Sequence, residues 1–102
     1  MISSEELEIA MIEIVALSGD ARTKLLSAVK SAKEGDFDRS RALVDEAQGL
    51  LNDAHNAQTD LLTAEARGEL TSPTVLLVHA QDHLMTSMLL RDVIDALIDI
   101  YR

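Results

Sequence analysis

The sequence predicts an all-α protein, an antiparallel three-helix bundle. Apolar residues recur along most of the chain at alternating intervals of four and three residues, the spacing of a helix that buries one face. Two breaks that contain glycine divide this pattern into three long segments. No useful length of chain alternates apolar and polar residues with a period of two, so no strand is expected. A chain of 102 residues, 47% of them hydrophobic, is long enough for one small domain with a single core.

The first segment is predicted to be a helix over about residues 3–34. Ser3 followed by Glu6 is the pattern of a capping box at a helix start. Gly19 and Asp20 interrupt the segment, and a bend is favoured there over a separate short helix. The apolar seam predicted for this helix comprises Leu7, Met11, Ile14, Ala21, Leu25, Ala28 and Ala32.

Two breaks set the limits of the other helices. Gly35 suits the position just after a helix, and Asp36 suits the N-cap of the next one. Gly68 marks the second stop, after which Ser72 is expected to be an N-cap and Pro73 the first helical residue. These breaks place the second and third helices at about 37–67 and 73–101. The seam predicted for the second helix comprises Leu43, Val44, Ala47, Leu50, Leu51, Ala54, Leu61 and Leu62.

The third segment carries two apolar stripes instead of one. They lie about 100° apart around the helix. One stripe is enough for packing inside a small bundle, so the second predicts contact with another subunit. Asp82 falls on the second stripe, where a charge is costly unless it is partnered. The stripes comprise Leu90, Ile94, Leu97 and Tyr101 in the first, and Val78, Met85, Leu89 and Ala96 in the second.

Composition narrows the classes of partner. The net charge of −9 disfavours binding to nucleic acid or to an anionic lipid surface, and it would attract a basic protein. The chain has no cysteine, which excludes disulfides and thiolate metal sites. Neither a signal peptide nor an apolar run long enough for membrane insertion is present in the sequence. We therefore expect a cytoplasmic location.

A polar group interrupts the apolar third segment. His79 and His83 are one helical turn apart on the same face, with Gln81 and Asp82 between them. One interpretation is a pair of boundary histidines whose hydrogen bonds neighbouring groups satisfy. Another is a metal site, but Ala80 stands where an HExxH zinc hydrolase has its glutamate, and Asp82 is the only further ligand nearby.

The third interpretation of this group is nucleophilic. A neutral imidazole is a competent nucleophile near pH 7, and a phosphorylated imidazole can pass its phosphoryl group on. His83, Gln81 or Thr86 could orient the ring of His79 or donate hydrogen bonds to phosphoryl oxygens. The sequence has no phosphate-binding glycine loop, so another phosphoprotein is a more natural donor than ATP.

The segment HAQDHLMT, residues 79–86, resembles the signature of the IIA component of lactose/cellobiose-type sugar phosphotransferase systems, which include the N,N'-diacetylchitobiose systems. The resemblance covers essentially the whole chain, in the same order and spacing. The further matching segments are Gly19-Asp20-Ala21-Arg22, Ala32-Lys33-Glu34-Gly35-Asp36-Phe37, Ala54-His55 with Gln58-Thr59, and Leu89-Leu90-Arg91-Asp92-Val93.

The resemblance implies a phosphotransferase and a specific set of roles. Members of this family are three-helix protomers that form homotrimers with the third helices around the central axis. His79 would be phosphorylated on Nε2 by the phosphocarrier protein HPr and would pass the group to a cysteine of the IIB component, during uptake of a β-linked disaccharide through IIC. Asp82 would share a Mg²⁺ ion with its symmetry mates, and His83 would be an active-site neighbour. A IIA component does not bind the sugar, so the sequence does not identify it.

Elementary electrostatics agrees with the role implied for Asp82. Three carboxylates gathered on an axis repel one another and must take up protons or bind a cation. A hard divalent ion with oxygen ligands suits such a group. An alternative function is a non-catalytic helical oligomer whose buried histidine and aspartate residues hold a structural metal, and a third is a regulatory adaptor that is phosphorylated without delivering the group.

A second polar group lies on the second helix, at His55, Asn56, Gln58 and Thr59. A solvated helix surface is the favoured interpretation of this group. A contact that supports the phosphorylation cleft is the alternative that the resemblance suggests.

Overall fold

Three α-helices make up the computed structural model, which describes residues 3–70 and 74–102. Helix α1 spans Ser4–Lys33, α2 spans Phe37–Ala66 and α3 spans Val75–Asp99. The described part of the chain contains no strand, which confirms the predicted all-α fold class. The bundle is a rod with extents of 50 × 19 × 16 Å. Each helix is nearly as long as this rod, so successive helices are antiparallel: α1 and α3 run in the same direction and α2 runs opposite to both.

Each helix begins at a side chain that accepts a hydrogen bond from a backbone N–H. Ser3 accepts from the N–H of Glu6 at 3.1 Å, as the capping pattern predicted. Asp36 does the same at the start of α2. Helix α3 is capped by Thr74, whose hydroxyl accepts from the N–H of Leu77 at 3.1 Å. The N-cap and the first helical residue predicted for α3, Ser72 and Pro73, lie outside the described residues.

The first two helices end in the same way. Gly35 and Gly68 follow α1 and α2 with φ angles of 83° and 74°, a region that costs glycine little because it has no Cβ. The N–H of Gly35 donates to the carbonyl of Ala32, and the next N–H donates to the carbonyl of Ser31. This pair of bonds is a Schellman motif. Gly68 makes the equivalent pair, so both predicted stops are helix ends.

The core lies along α1, which packs extensively against both α2 and α3. The seams predicted for the first two helices are largely buried, although Leu62 is 50% exposed and was wrongly placed there. The first stripe of α3 was only partly right, because Tyr101 lies beyond the helix end and is 42% exposed. The buried residues of α3 are Ala80, Leu84, Ser87, Ile94 and Ile98.

Small residues bring α1 and α3 close together and fix their register. Ser87 is fully buried and donates its hydroxyl to the carbonyl of Ser18 at 3.2 Å. Ala21 and Ala80 are also buried in the core. Helix α1 passes through Gly19 without a break, so the alternative of a separate short first helix is wrong. This register places the middle of α1 beside the polar group of α3.

Candidate functional site

His79 and His83 lie on one flank of α3, beside the groove where Arg22 of α1 reaches Thr86. Their ring centroids are 4.4 Å apart and the rings meet edge to face at 82°. The side chain of His79 is exposed and that of His83 is half-buried. The two histidines are therefore in contact, and His79 is the one that a partner can reach.

His83 is held in an environment that favours its neutral form. Burial lowers its pKa below the usual 6.5, and the neighbouring His79 and Arg22 lower it further, while Asp82 raises it. Its Nδ1 atom is buried and has no hydrogen-bond partner among the described residues. A charged imidazolium would leave a buried N–H unsatisfied there, which adds to the cost of protonation.

Arg22 reaches across from α1 to the same flank of α3. Its Nη2 atom donates to the hydroxyl of Thr86 at 2.6 Å. That hydroxyl in turn donates to the carbonyl oxygen of Asp82 at 2.6 Å. Arg22 belongs to the family-like segment Gly19-Asp20-Ala21-Arg22, but no role was predicted for it from the sequence. Its position beside α3 depends on the register between α1 and α3, and the spacing of residues within either helix does not reveal that register.

Gln81 lies on the opposite flank of α3, about 200° around the helix from His79. Its side-chain oxygen accepts a hydrogen bond from Nε2 of Gln58 on α2. The same Nε2 lies 3.9 Å from the sulfur of Met85. Gln58 is only 9% exposed, so it is not part of a solvated surface, which was the favoured interpretation. Within one chain, Gln81 therefore faces α2 and is directed away from His79.

His55 is separate from this pair of glutamines. Its side chain is exposed and lines a small cleft between α2 and α3. Arg91 lines the same cleft and donates from Nε to the side-chain oxygen of Gln48 at 2.8 Å. The hydroxyl of Thr59 donates to the backbone carbonyl of His55 at 3.0 Å. The second polar group of the sequence thus divides into an exposed histidine and a buried glutamine.

Asp82 lies on an exposed apolar face of α3. Val78, Met85 and Leu89, its neighbours along this face, are 53%, 53% and 62% exposed. No group of three potential metal ligands from the histidine, cysteine and acidic residues occurs within residues 3–70 and 74–102 of one chain. A single chain offers one carboxylate here, so these residues fit a metal only if Asp82 is shared between chains.

A larger cleft lies at the far end of α3 from the histidines, where residues near the start of α2 line it together with the end of α3. Arg102 stacks over the ring of Phe37 at 5.0 Å and pairs with Asp99 at 2.9 Å. Arg102 is therefore already engaged in an ion pair and a stacking contact within its own chain. Neither histidine of the pair lines this cleft.

Sequence comparison identifies the family that this chain resembles. Residues 8–102 match the family described as the lactose/cellobiose-specific IIA subunit of the phosphotransferase system. The chain is 46% identical over 98 residues to the lactose-specific EIIA component of Staphylococcus epidermidis, covering 96% of this chain and 94% of the relative. It is 49% identical over 98 residues to the corresponding component of Lactococcus lactis, covering 96% and 93%.

Solved structures give the same result for the fold. The cellobiose-specific enzyme IIA of Bacillus anthracis superposes with a TM-score of 0.88 at 36% identity, covering 99% of this chain and 91% of that one. The IIA(chitobiose) of Escherichia coli, solved in complex with HPr, superposes with a TM-score of 0.81 at 42% identity, covering 96% and 95%. In the part of the chain that the structure covers, no helix is long and apolar enough to cross a membrane.

Proposed function

Because this chain belongs to the lactose/cellobiose-specific IIA family of the sugar phosphotransferase system, we propose that it is a phosphocarrier that works through a phosphohistidine at His79. It accepts the phosphoryl group from HPr and passes it to the IIB component during uptake of a β-linked disaccharide. The observation that supports this most is the exposed ring of His79 packed edge to face on a half-buried His83. A protein with this function would be located in the cytoplasm.

The transfer is a displacement between two nitrogens. The lone pair on Nε2 of neutral His79 attacks phosphorus, and the bond from phosphorus to the donor's imidazole nitrogen breaks. The donor nitrogen leaves with that electron pair, and the donor ring is neutral because its other nitrogen keeps a proton. His79 keeps its own proton on Nδ1, so one positive charge moves with the phosphoryl group from the donor ring to the ring of His79, and protons balance. His83 fixes the ring of His79 by the edge-to-face contact, which supports a near-attack geometry.

Charge supports HPr as the donor. The chain carries a net charge of −9, which favours encounter with a basic surface. The relative from the chitobiose system of Escherichia coli was solved as a complex with HPr, and this chain shares 42% identity with it. We expect HPr to approach the groove between α1 and α3, where His79 is exposed. Delivery to IIB uses the same atom, since the phosphoryl group leaves from Nε2.

The exposed apolar face of α3 supports assembly as a homotrimer around that helix. Val78, Met85 and Leu89 would be buried between chains. Asp82 would then meet its symmetry mates, and the repulsion between three carboxylates would be relieved by a shared Mg²⁺ ion with oxygen ligands. The ion would supply positive charge on the axis, and no step of the transfer at His79 needs it. In such a trimer the flank of α3 that carries Gln81 turns towards the His79 flank of a neighbouring chain, where its amide could meet a phosphoryl group.

The proposal is tested by incubating the protein with phosphoenolpyruvate, enzyme I and HPr. We expect an acid-labile, base-stable mass increase of one phosphoryl group, and we expect His79→Ala to abolish it. Full labelling of His79→Ala would refute the assignment of this residue. If no phosphoryl donor labels the protein and a chelator lowers its stability, the chain is instead a helical oligomer with a structural metal.

Delivery of the phosphoryl group is tested in a second step. Phosphorylated protein is mixed with the IIB component, and loss of label from His79 is followed together with gain of label on IIB. We expect transfer to IIB to be complete within the time needed for phosphorylation. Phosphorylation of His79 without transfer would identify the protein as a regulatory adaptor.

A further inference from the structure

Arg22 carries a positive charge that no carboxylate among the described residues neutralises. The other two half-buried cations among the described residues, Lys24 and Arg91, each lie near a carboxylate. Lys24, two residues further along α1, lies 3.8 Å from Asp20 and 3.5 Å from Glu46. Arg91 lies 3.9 Å from Asp95. In a chain with twice as many acidic as basic residues, 18 against 9, a half-buried arginine without an acidic partner is exceptional.

The position of this charge is fixed by two hydrogen bonds in series. Arg22 donates to the hydroxyl of Thr86, and that hydroxyl donates to the carbonyl of Asp82, both at 2.6 Å. Thr86 follows His79 by seven residues, which returns it to the same side of α3, and His83 lies between them. The guanidinium is close enough to His83 to lower the pKa of that imidazole. Only part of its donor capacity is used by Thr86, since a guanidinium has five N–H groups.

We propose that Arg22 is a positioning residue of the phosphotransfer site, whose guanidinium, anchored on Thr86, supplies the positive charge that stabilises a phosphoryl group at His79. This inference rests on the proposed function and adds the charge that the function needs. A phosphoryl group brings about two negative charges to a surface that is already acidic. The charges on its three oxygens persist while the bond to Nε2 forms, so a fixed cation beside the groove lowers the free energy of both the transition state and the phosphorylated product.

The proposal predicts that the charge of Arg22 matters more than its shape. Arg22→Gln removes the charge and keeps a donor for Thr86, whereas Arg22→Lys keeps the charge. We expect Arg22→Gln to slow phosphorylation of His79 by phospho-HPr by about tenfold or more, less than the ~10²–10³-fold loss for a donor in direct contact. Arg22→Lys should recover most of the rate, to within about threefold of the unsubstituted protein.

A matched control separates this effect from general surface charge. Lys24→Gln removes a positive charge from the same helix, at a residue paired with Asp20 and Glu46, and we expect an unchanged rate. The thermal unfolding midpoint and the molecular mass should be the same for all variants. An unchanged rate in Arg22→Gln would overturn the proposal. So would equal losses in Arg22→Lys and Arg22→Gln, because they would show a structural role for the arginine.

Labelling by phosphoramidate makes this test independent of any protein partner. The bond between its nitrogen and phosphorus breaks, Nε2 of His79 takes the phosphoryl group, and ammonia leaves. We expect Arg22→Gln to be labelled about tenfold more slowly than Arg22→Lys. If phosphoramidate gives this difference while phospho-HPr labels nothing, the assignment of HPr fails and the role of Arg22 stands. If His79 of the unsubstituted protein is labelled by neither reagent, both proposals fail.

Discussion

The rings of His79 and His83 meet edge to face, with centroids 4.4 Å apart, one helical turn apart on α3. The contact gives the two histidines different environments. The outer ring is open to a partner, whereas the inner ring is half-buried with its Nδ1 atom enclosed. In the function that we propose, His79 is the nucleophile that two partners reach in turn, and the half-buried His83 supports its ring from within the bundle.

The first prediction concerns the protonation of His83. We expect its imidazole to titrate below pH 6.5, because burial and the nearby His79 and Arg22 disfavour the charged form. In the unfolded chain the same ring takes up a proton at its ordinary value of about 6.5. His83 therefore contributes stability that is fully present above that pH and is lost as the pH falls through its folded pKa. Histidine Cε1–H resonances followed by NMR, assigned with His83→Gln, measure this directly. A midpoint at or above 6.5 for His83 would contradict the prediction.

The second prediction concerns the pair that joins α2 to α3. Gln58 is buried and donates to Gln81, so Gln58→Met should leave that acceptor without its partner. We expect the free energy of unfolding to fall by about 1–3 kcal/mol. Replacing both residues by methionine should cost less than the sum of the two single changes, because no unpaired amide remains. Urea denaturation of the four proteins in this cycle gives the coupling energy, and strict additivity would show that the bond contributes nothing.

Local signals allowed most of the fold to be predicted. Ser3, Asp36 and the two glycines at the helix ends act within one turn of the chain, so their sequence spacing alone predicts the hydrogen bonds that they make. The first stripe on α3 was less well predicted, because it was assigned from large apolar side chains and left out small residues that are buried. Small residues, Ala80 and Ser87, are among the most buried residues of α3, and the hydroxyl of Ser87 reaches a backbone carbonyl of α1.

The candidate site was predictable only where its residues share one helix. His79, His83 and Asp82 have fixed angular positions once α3 is known to be helical. The contact of Arg22 with Thr86 and that of Gln58 with Gln81 depend on the registers between helices. Such registers result from the packing of the whole core, and the spacing of residues within one segment carries no information about them.

The third prediction concerns the carboxylate on the exposed face of α3. Asp82→Leu should remove the axial repulsion and leave a trimer whose mass is independent of Mg²⁺, whereas the unsubstituted protein should lose stability in a chelator. Asp60→Leu is the control, since Asp60 is an exposed acidic residue on α2. Light scattering with and without chelator measures the mass of all three proteins, and thermal unfolding under the same two conditions measures their stability. A monomeric Asp82→Leu variant in both conditions would exclude Asp82 from the trimer axis.

The fourth prediction concerns which helix, α3 or α2, forms the contact between subunits. Leu89 on α3 is 62% exposed and Leu62 on α2 is 50% exposed on a single chain. A change to glutamate at either position should therefore have a similar effect on the stability of the single chain. Leu89→Glu should place three charges in the subunit seam and dissociate the trimer, because burying an unpaired charge costs several kcal/mol. Leu62→Glu should leave the trimer intact, since that residue faces solvent in the proposed assembly. Sedimentation equilibrium at several concentrations measures both, and a trimeric Leu89→Glu beside a dissociated Leu62→Glu would move the interface from α3 to α2.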